Sequence, residues 1–446
     1  MRRLLFLIAL LSLSVPATAD AATRWVVKGG GWGHGLGMSQ YGAYGQALEG
    51  RGYRKILHHY YRNTTLGQAG GRVRVLLLAS VGSSTFGGAN KVGSKSISPN
   101  RNYTVRRAGG RIVVRTTRGK RVARSSGVLR VSSPSGLVTV AGKAAYRDVI
   151  EYRPGLSGGV TAVNRVELEN YIRGVVPNES PASWPLEALK AQAVAARSYA
   201  LGTGTGNAVF DHYDTVASQV YGGYSSENAR TNRAVARTRG EILRHNGEVI
   251  VAYFHSTSGG HTENNENVWG GAPLGYIRGV RDPWDRHSPY HRWKVTYSAR
   301  SLGRAMGVGR LRSVRVHAQG VSGRIVRATF RGNAGRNRVD GWDGLRGRLG
   351  LRDIPSTIKR ITANGSTARA AIAGLSSRVL ARDIFGSVSA ARKGTLVVVE
   401  RRTDGRWQRV AKGRLRRSGR YRIAVEGAGL YRVVTGGDTG PTLRVR

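Results

Sequence analysis

Apolar residues follow a helical period in the middle of the chain, over Leu186–Leu201 (LEALKAQAVAARSYAL). At about 100° per residue, most of its leucines and alanines and its valine fall on one broad arc, which predicts a buried helix. Pro185 suits the first turn of this helix, and Gly202 ends it. Lys190 and Arg197 lie inside the apolar arc, and a buried cation needs a partner. Each is therefore expected either to form a structural ion pair or to line a polar cleft.

The remaining segments alternate between strand-like and helical patterns. Runs of valine, isoleucine and leucine between Gly and Ser predict strands over residues 72–170, with a β-rich part at 72–150. An Asn246-Gly247 turn predicts a hairpin of Glu241–Leu243 with Val249–Phe254. Helical patterns are found at Gln46–Tyr61, Glu167–Ile172 and Asn228–Arg237. Together these segments predict an α+β fold with mixed helices and sheets.

The length of 446 residues predicts two or three domains. Residues 20–353 are assigned to one main domain. The composition changes near Pro355, which predicts a linker at 354–377. Short strand-like runs after it predict a small all-β, sandwich-like accessory module at 378–446.

The N-terminus has the features of a secretory signal peptide. Arg2-Arg3 precede the apolar run Leu4–Val15, which is too short to span a bilayer, and Ala17-Thr18-Ala19 offers a cleavage site. Residues 1–19 are therefore predicted to be removed on export, with an uncleaved anchor as the alternative. No other segment approaches transmembrane length, so the protein is expected to be secreted or associated with the cell wall.

Charge and cysteine content narrow the class of partner. The formal net charge is +47, with 72 Lys plus Arg against 25 Asp plus Glu. Such a chain attracts polyanions, and export argues for anionic wall polymers and against nucleic acid. The chain has no cysteine, which excludes disulfides and thiolate zinc sites.

A glycine-rich block, Gly29–Ala43 (GGGWGHGLGMSQYGA), follows the predicted signal peptide. No register of it fits the dinucleotide pattern G-x-G-x-x-G, so a nucleotide loop is rejected. Alternating glycines let the backbone approach a neighbour or a ligand closely, and His34 and Gln40 offer polar side chains. A packing turn around a core histidine is the alternative interpretation.

Two further polar stretches follow the predicted helix, Ser218–Gly223 (SQVYGG) and His255–Thr262 (HSTSGGHT). Small hydroxyl residues at the end of a strand are typical of the rim of a binding site. His255 and His261 are not spaced for one helix face and no third ligand is evident, so neither a metal nor another cofactor is expected. The chain has no G-x-S-x-G motif, so a serine hydrolase is not supported.

Glu179 lies between Pro177 and Pro181, directly after the apolar pair Val175-Val176. Burial beside this pair and Trp184 would raise the pKa of the Glu179 carboxyl toward neutrality, as a general acid requires. A purely structural carboxylate is the alternative.

Four of these stretches, Gly31–Ala43, Val175–Leu201, Ser218–Gly222 and Phe254–Thr262, together resemble the SpoIID/LytB family. That family includes the sporulation stage II protein D, a lytic transglycosylase, and the amidase enhancer LytB. The resemblance covers residues 25–353.

This sequence departs from the family pattern in three respects. The glycine-rich block opens the domain here, whereas it usually follows the R-x-x-L-G-L segment, found at Arg346–Leu351, so the order looks circularly permuted. The common motif E-M-P is replaced by Glu179-Ser180-Pro181. The cysteine zinc ligands of some family members have no counterpart in this chain.

The resemblance implies a secreted peptidoglycan lytic transglycosylase that cleaves MurNAc–GlcNAc bonds with Glu179 as its single acid and base. The residues expected to bind the glycan strand are Lys190, Arg197, Gln219, Tyr221, Ser256, Ser258, Gly259, Gly260, His34 and Gln40. The amidase-enhancer branch implies the alternative, a non-catalytic wall-binding protein with a cell-wall amidase as partner. A general polyanion binder is a third interpretation of the charge.

Overall fold

The computed structural model describes residues 22–134, 136–365 and 381–445, and the predicted signal peptide lies outside these ranges. The α-helices found there are α1 (Gln40–Leu48), α2 (Tyr53–Tyr60), α3 (Leu168–Glu179), α4 (Leu186–Gly202), α5 (Ala229–Arg237), α6 (Asn265–Val268) and α7 (Ala299–Ala305). Tyr224–Ser226 and Pro283–His287 form 3-10 turns, and Gly341–Gly347 forms a π-helical stretch. Within the described ranges, no helix is long and apolar enough to cross a bilayer.

Two large sheets, in which most strand pairs are antiparallel, are formed mainly by the first half of the chain. In hydrogen-bonding order, one consists of His212–Tyr213, Arg72–Val81, Val160–Glu167, Val149–Pro154, Leu129–Ser132, Lys91–Val92 and Lys95–Ser96. The other consists of Arg121–Ser125, Arg111–Thr116, Tyr103–Ala108, Ser83–Gly87, Leu137–Val140 and Ala145–Arg147. The strands Arg72–Val81, Arg111–Thr116, Leu129–Ser132 and Leu137–Val140 correspond to predicted runs of valine, isoleucine and leucine.

Three smaller sheets complete the main domain. The first consists of Glu248–Val249, Glu241–His245 and Thr65–Gln68. The second pairs Met38–Ser39 with Phe254–His255. The third consists of Leu311–Gln319, Ile325–Gly332 and Gly335–Asp340. The predicted α+β class is confirmed. The strand predicted over Val249–Phe254 is interrupted, because Ile250–Tyr253 lie outside any strand.

Helix α4 lies between two hydrophobic cores, which explains why it is buried on almost every side. Leu189 and Ala193 pack into the core beneath the two large sheets. Val194 and Ala195 pack into a second core together with α1 and α2. Small alanine side chains let several neighbours approach the helix at once. The predicted helix at Leu186–Leu201 is confirmed.

Helix α3 is longer than the sequence pattern indicated, since it continues to Glu179 instead of ending near Ile172. Pro177 lies in its last turn and has no N–H to donate to the oxygen of residue 173. The end of the helix is held by the Ser180 N–H, which donates to the Val176 oxygen at 2.9 Å. Asn178 Nδ2 also donates to the Gly174 oxygen at 2.7 Å. Glu179 is therefore fixed at a helix C-terminus.

The helix predicted over Gln46–Tyr61 is two helices, α1 and α2. The chain turns between them at residues 49–52, where Gly50 has a φ of +78° that favours glycine. The apolar stripe assigned to this segment does form core, because Ile56, Leu57 and Tyr60 are buried.

The C-terminal strands are joined to the N-terminal strand in one five-stranded sheet. Its order is Trp293–Ser298, Ala22–Gly29, Thr357–Gly365, Ala381–Ser387 and Arg420–Glu426. A four-stranded sheet of Arg406–Arg414, Leu396–Thr403, Gly429–Thr435 and Asp438–Val445 lies against it. Asp438 receives ion pairs from Lys28 at 2.7 Å and Lys359 at 3.2 Å.

This arrangement corrects the predicted linker at 354–377. Its first part is a strand, Thr357–Gly365, because Ile358, Ile361 and Ala363 are buried between the main domain and the C-terminal β structure. Residues 366–380 lie outside the described ranges.

Candidate active site

Glu179 is half-buried at the C-terminus of α3, where three other segments reach it. The Val220 N–H donates to Glu179 Oε1 at 3.1 Å. Gln40 Nε2, at the start of α1, donates to the Glu179 main-chain oxygen at 2.9 Å. The same amide donates at 3.4 Å to Gln192 Oε1 on α4. The Ser218–Gly223 loop thus contacts the carboxyl directly, while Gln40 of α1 holds the Glu179 main chain and is itself bonded to Gln192 of α4.

Burial raises the pKa of the Glu179 carboxyl above its ordinary value, and hydrogen bonds from Val220 and Gln40 partly oppose this increase. A carboxylate at the negative end of a helix dipole is also disfavoured. The site therefore favours the protonated acid more than an exposed glutamate would.

Aromatic side chains lie beside this acid. Burial raises the pKa of the Tyr199 phenol, and the charge of Glu179 adds to that effect, so the two groups interact. The Tyr199 ring lies 6.0 Å from Tyr253 and 6.1 Å from Phe254. Trp184 lies 5.1 Å from the Tyr41 ring. Such rings exclude water from the carboxyl and offer apolar faces to a ligand.

The glycine-rich block and the segment Phe254–Thr262 are adjacent in the fold. Met38–Ser39 pairs in parallel with Phe254–His255. The Tyr41 N–H donates to the Ser256 oxygen at 3.0 Å, and the Trp32 N–H donates to the Thr257 oxygen at 2.9 Å. All four polar stretches of the sequence are therefore brought together around the C-terminus of α3.

Ser258, Gly259 and Gly260 are held from below by two buried aspartates. Ser258 Oγ donates to Asp282 Oδ2 at 2.7 Å. The N–H groups of Gly259 and Gly260 donate to Asp285 Oδ2 at 2.6 and 3.1 Å. Burial and the neighbouring Asp285 charge raise the pKa of Asp282 to about 7. Ser258 is buried, so it stabilises the loop, whereas Ser256 and the two glycines are partly accessible.

His34 is an uncharged, partly buried ring. Its Nδ1 accepts the Leu36 N–H at 3.0 Å, and its ring centroid lies 5.1 Å from Trp269 and 5.4 Å from His255. Burial lowers the pKa of His34 to about 4. Across the described residues, no group of three or more His, Asp or Glu side chains is arranged to hold a metal ion.

The two cations predicted to line the cleft are engaged elsewhere. Arg197 has a side-chain exposure of 0% and forms an ion pair with Glu169 at 2.8 Å. Lys190 pairs with Glu187 at 2.7 Å and lies 4.2 Å from the centre of the Tyr53 ring. Both cations therefore form structural ion pairs, Lys190 with a glutamate on α4 itself and Arg197 with a glutamate on α3.

Gln219 and Tyr221 are buried and do not face a ligand. Tyr171 donates to Gln219 Oε1 at 3.2 Å, and Tyr221 donates to Asn164 Oδ1 at 2.7 Å. These bonds anchor the loop on either side of Val220, so their role is to position the N–H that faces Glu179. Of the predicted ligand-binding residues, Gln40 is the one that contacts Glu179 directly.

The sequence profile of SpoIID, described as Stage II sporulation protein, matches residues 156–245, which include α3, α4 and the Val220 loop. The resemblance of this chain to the SpoIID/LytB family is therefore confirmed. It is 47% identical over 131 residues to the "Amidase enhancer" of Bacillus subtilis (strain 168), which is 29% of this chain and 17% of that protein.

Two further relatives of this chain are both named "Stage II sporulation protein D". The Bacillus subtilis (strain 168) protein is 36% identical over 164 residues, covering 33% of this chain and 48% of its own length. The Bacillus amyloliquefaciens protein is 32% identical over 226 residues, covering 46% and 63%. The chain thus spans less than two thirds of each of these relatives. No solved structure is significantly similar to it.

The glycine-rich block and the segment after Arg346–Leu351 lie side by side, which is compatible with the predicted permuted order. The Gly33 N–H in the glycine-rich block donates to the Arg352 oxygen at 3.1 Å, just after Arg346–Leu351. The buried pair Arg324 and Asp353, at 2.6 Å, packs against this contact.

Sequence reasoning missed several residues of this site. Asp282 and Asp285 lie in an irregular segment without periodicity, and the signal there is two acids flanking a Pro-Trp pair. Tyr199 and Gln192 lie on the predicted helix, whose period gives no sign of a role in the site. Their approach to Glu179 depends on how α1, α3 and α4 pack.

Proposed function

We propose that this protein is a peptidoglycan lytic transglycosylase in which Glu179 is both the general acid and the general base. The observation that carries the proposal is a single sheltered carboxyl with a raised pKa, fixed between the Val220 N–H and the Gln40 amide. The similarity to the SpoIID/LytB family supports an activity on the cell wall.

The reaction needs one group that first gives and then takes a proton. The protonated Glu179 carboxyl donates to the glycosidic oxygen as the bond from muramyl C1 to that oxygen breaks. The resulting carboxylate removes the proton of the muramyl O6 hydroxyl while O6 bonds to C1. The products are a free hydroxyl end and a 1,6-anhydro ring, no water is consumed, and Glu179 is protonated again. A second catalytic carboxylate, which a hydrolase requires, is not needed.

The neighbours of Glu179 have defined tasks in this scheme. The Val220 N–H stabilises the carboxylate after the first proton transfer, which keeps the pKa from rising so far that the base step fails. Gln40 fixes the main chain that holds the acid. The partly exposed rings of Tyr199, Tyr253 and Phe254 exclude water and can pack against sugar faces.

The enzyme is proposed to act outside the cytoplasm, since residues 1–19 are expected to direct export. Its formal net charge of +47 then retains it on the anionic wall.

The test is mass spectrometry of the products formed from purified glycan strands free of other enzymes. The wild type is expected to produce 1,6-anhydro-muramyl ends, and Glu179→Gln is expected to produce none while remaining folded. Glu187→Gln is the matched control, because Glu187 is a neighbouring glutamate that pairs with Lys190 at 2.7 Å instead of facing the site. Anhydro ends from Glu179→Gln at the wild-type rate would overturn the proposal.

A second candidate function is stimulation of a cell-wall amidase, which the 47% identical "Amidase enhancer" favours. It predicts that wild type and Glu179→Gln accelerate a purified amidase on intact wall equally. It also predicts that neither protein alone creates new glycan ends. The two functions are thus distinguished by the same pair of proteins.

A further inference from the structure

A strongly basic groove lies on the three-stranded sheet of Leu311–Gln319, Ile325–Gly332 and Gly335–Asp340. It has a volume of about 600 Å³. Its lining residues are Ser313, Val314, Arg315, His317, Thr329, Arg331, Arg336, Asn337 and Arg338. None of these residues belongs to the site around Glu179, so the groove is a separate feature.

The strand register places four arginines on one face of this sheet. Arg331 is directly opposite Arg336. Arg315 and Arg338 lie on either side of Thr329 in the next row. Side chains two residues apart on a strand point to the same face, so the two rows form one cationic surface.

The side chains of all four arginines are exposed, and within the described part of the chain none of them forms an ion pair. Asp340 lies on the same face, two residues from Arg338, but its Oδ1 accepts the N–H groups of Asp343 and Gly344. Like charges directly opposite one another destabilise a sheet. The other face of the same sheet is buried core, with Phe330 and Val339. The facing arginines Arg331 and Arg336 therefore destabilise the sheet relative to neutral polar residues at the same positions.

Protection against edge-to-edge aggregation does not account for this pattern. Charged residues on edge strands serve that purpose. Arg331, however, lies on the central strand Ile325–Gly332, whose two edges are both paired. A bound anion would relieve the repulsion among all four guanidinium groups.

We propose that this groove binds a linear phosphodiester polymer of the polyol-phosphate type. The planar guanidinium fork of arginine matches the oxygens of a phosphate group. Arg315 and Arg338 are two strand spacings apart, roughly 10 Å, so the groove reaches more than one phosphate of a chain. No Phe, Tyr or Trp lines the groove, so it lacks the large aromatic rings on which proteins that bind single-stranded nucleic acid stack successive bases.

The test measures binding of the intact protein to a synthetic glycerol-phosphate oligomer over a range of salt concentrations. One variant replaces the groove arginines, as Arg315→Gln, Arg331→Gln, Arg336→Gln and Arg338→Gln. The matched control removes four exposed arginines from the six-stranded sheet, as Arg106→Gln, Arg111→Gln, Arg121→Gln and Arg124→Gln. Both variants lower the net charge equally.

The groove variant is expected to bind the oligomer roughly tenfold or more weakly. The slope of its plot of log K against log salt concentration is expected to be less negative by about 3. The control is expected to retain most of the affinity. An equal loss in both variants would overturn the proposal, because it would show that total charge alone binds the polymer. Equally tight binding of single-stranded DNA in the same groove would overturn the assigned class of ligand.

A smaller variant keeps the test valid if four substitutions prevent folding. Arg336→Gln removes one member of the facing pair, so the free protein is expected to melt about 1–2 °C higher. The same substitution is expected to weaken oligomer binding several-fold. A lower melting temperature together with unchanged binding would contradict a ligand site here. Cleavage of soluble glycan strands by both variants is expected to be unchanged, so this test is independent of the role of Glu179.

Discussion

Helix α3 has a glutamate at each end, and the two occupy opposite environments. Glu169, in the first turn, accepts Arg197 Nε at 2.8 Å, Arg197 Nη2 at 3.0 Å and the Gly240 N–H at 3.1 Å. Glu179, the last residue, accepts the Val220 N–H at 3.1 Å, and burial raises its pKa. The positive end of the helix dipole stabilises a charged Glu169, whereas the negative end disfavours a charged Glu179.

This difference shows how one residue type serves two purposes on a single helix. A carboxylate paired with a buried cation, as Glu169 is with Arg197, holds the structure together. A carboxyl that is sheltered without such a cation keeps its proton more readily and is suited to proton transfer. Position along the helix and the choice of partner distinguish the two roles.

The largest expected effect is on cleavage by Glu179→Gln, which should fall by about 10²–10⁴-fold because general acid–base catalysis is lost. Its stability should not fall. A raised pKa in the folded state means that the folded protein releases this proton at higher pH than the unfolded chain does. Stability is therefore lost as pH rises between those two values, and the glutamine removes that loss. Glycan cleavage and thermal melting at pH 8 measure the two effects.

A Glu179→Gln protein that melts well below the wild type would contradict this assignment. Such a result would show that the Glu179 carboxylate, like that of Glu169, stabilises the fold.

The next effect concerns the paired glutamate. Arg197→Met removes the cation that pairs with Glu169. It also removes the Arg197 Nη1 group, which donates to the Glu241 main-chain oxygen at 2.8 Å in the wild type. The free energy of unfolding should decrease by about 3–5 kcal/mol, measured by denaturant titration. The double variant Glu169→Gln/Arg197→Met should recover part of this loss, because no buried charge is then unpaired. Additive losses would show that the ion pair is not the source of the effect.

A third carboxyl, Asp282, tests whether burial beside another acid has the expected consequence. Its pKa of about 7 lies above the ordinary value near 4. The free energy of unfolding should therefore fall as pH rises between those values, by at most about 1.4 kcal/mol per pH unit, and level off above pH 7. Asp282→Asn should reduce this slope, as measured by denaturant titrations at several pH values. An identical slope in the variant would contradict the assignment.

The smallest effect is expected at Lys190, the cation on α4 that does not approach Glu179. Lys190→Met removes a pair with Glu187 three residues away and a contact with the Tyr53 ring. The free energy of unfolding should decrease by about 0.3–1 kcal/mol, and the cleavage rate should be unchanged. A large loss of cleavage with normal stability would show that Lys190 contributes to glycan binding.

Local patterns predicted part of the secondary structure. The period of Leu186–Leu201 identifies α4, and β-branched runs identify strands such as Arg72–Val81 and Arg111–Thr116. Thr357–Gly365 was missed because its composition is close to that of a polar linker, and its buried face is apparent only beside Ala22–Gly29.

The site depends on contacts that no local pattern encodes. Gln40 and Glu179 are 139 positions apart, and Arg197 and Glu169 are 28 apart. The sequence indicated that Arg197 needs an anion, but packing decides that this anion is Glu169 and not a ligand. Likewise, the two aspartates beneath Ser258–Gly260 are recognised only once the irregular segment around Pro283 is placed against the loop.

The central claim is that Glu179 holds its proton more tightly than an ordinary glutamate. The direct measurement is a ¹³C NMR titration of side-chain carboxyl groups in the labelled protein, with Glu179→Gln identifying the signal. We predict a midpoint above the unperturbed value of about 4.3. A midpoint at or below that value would contradict the account.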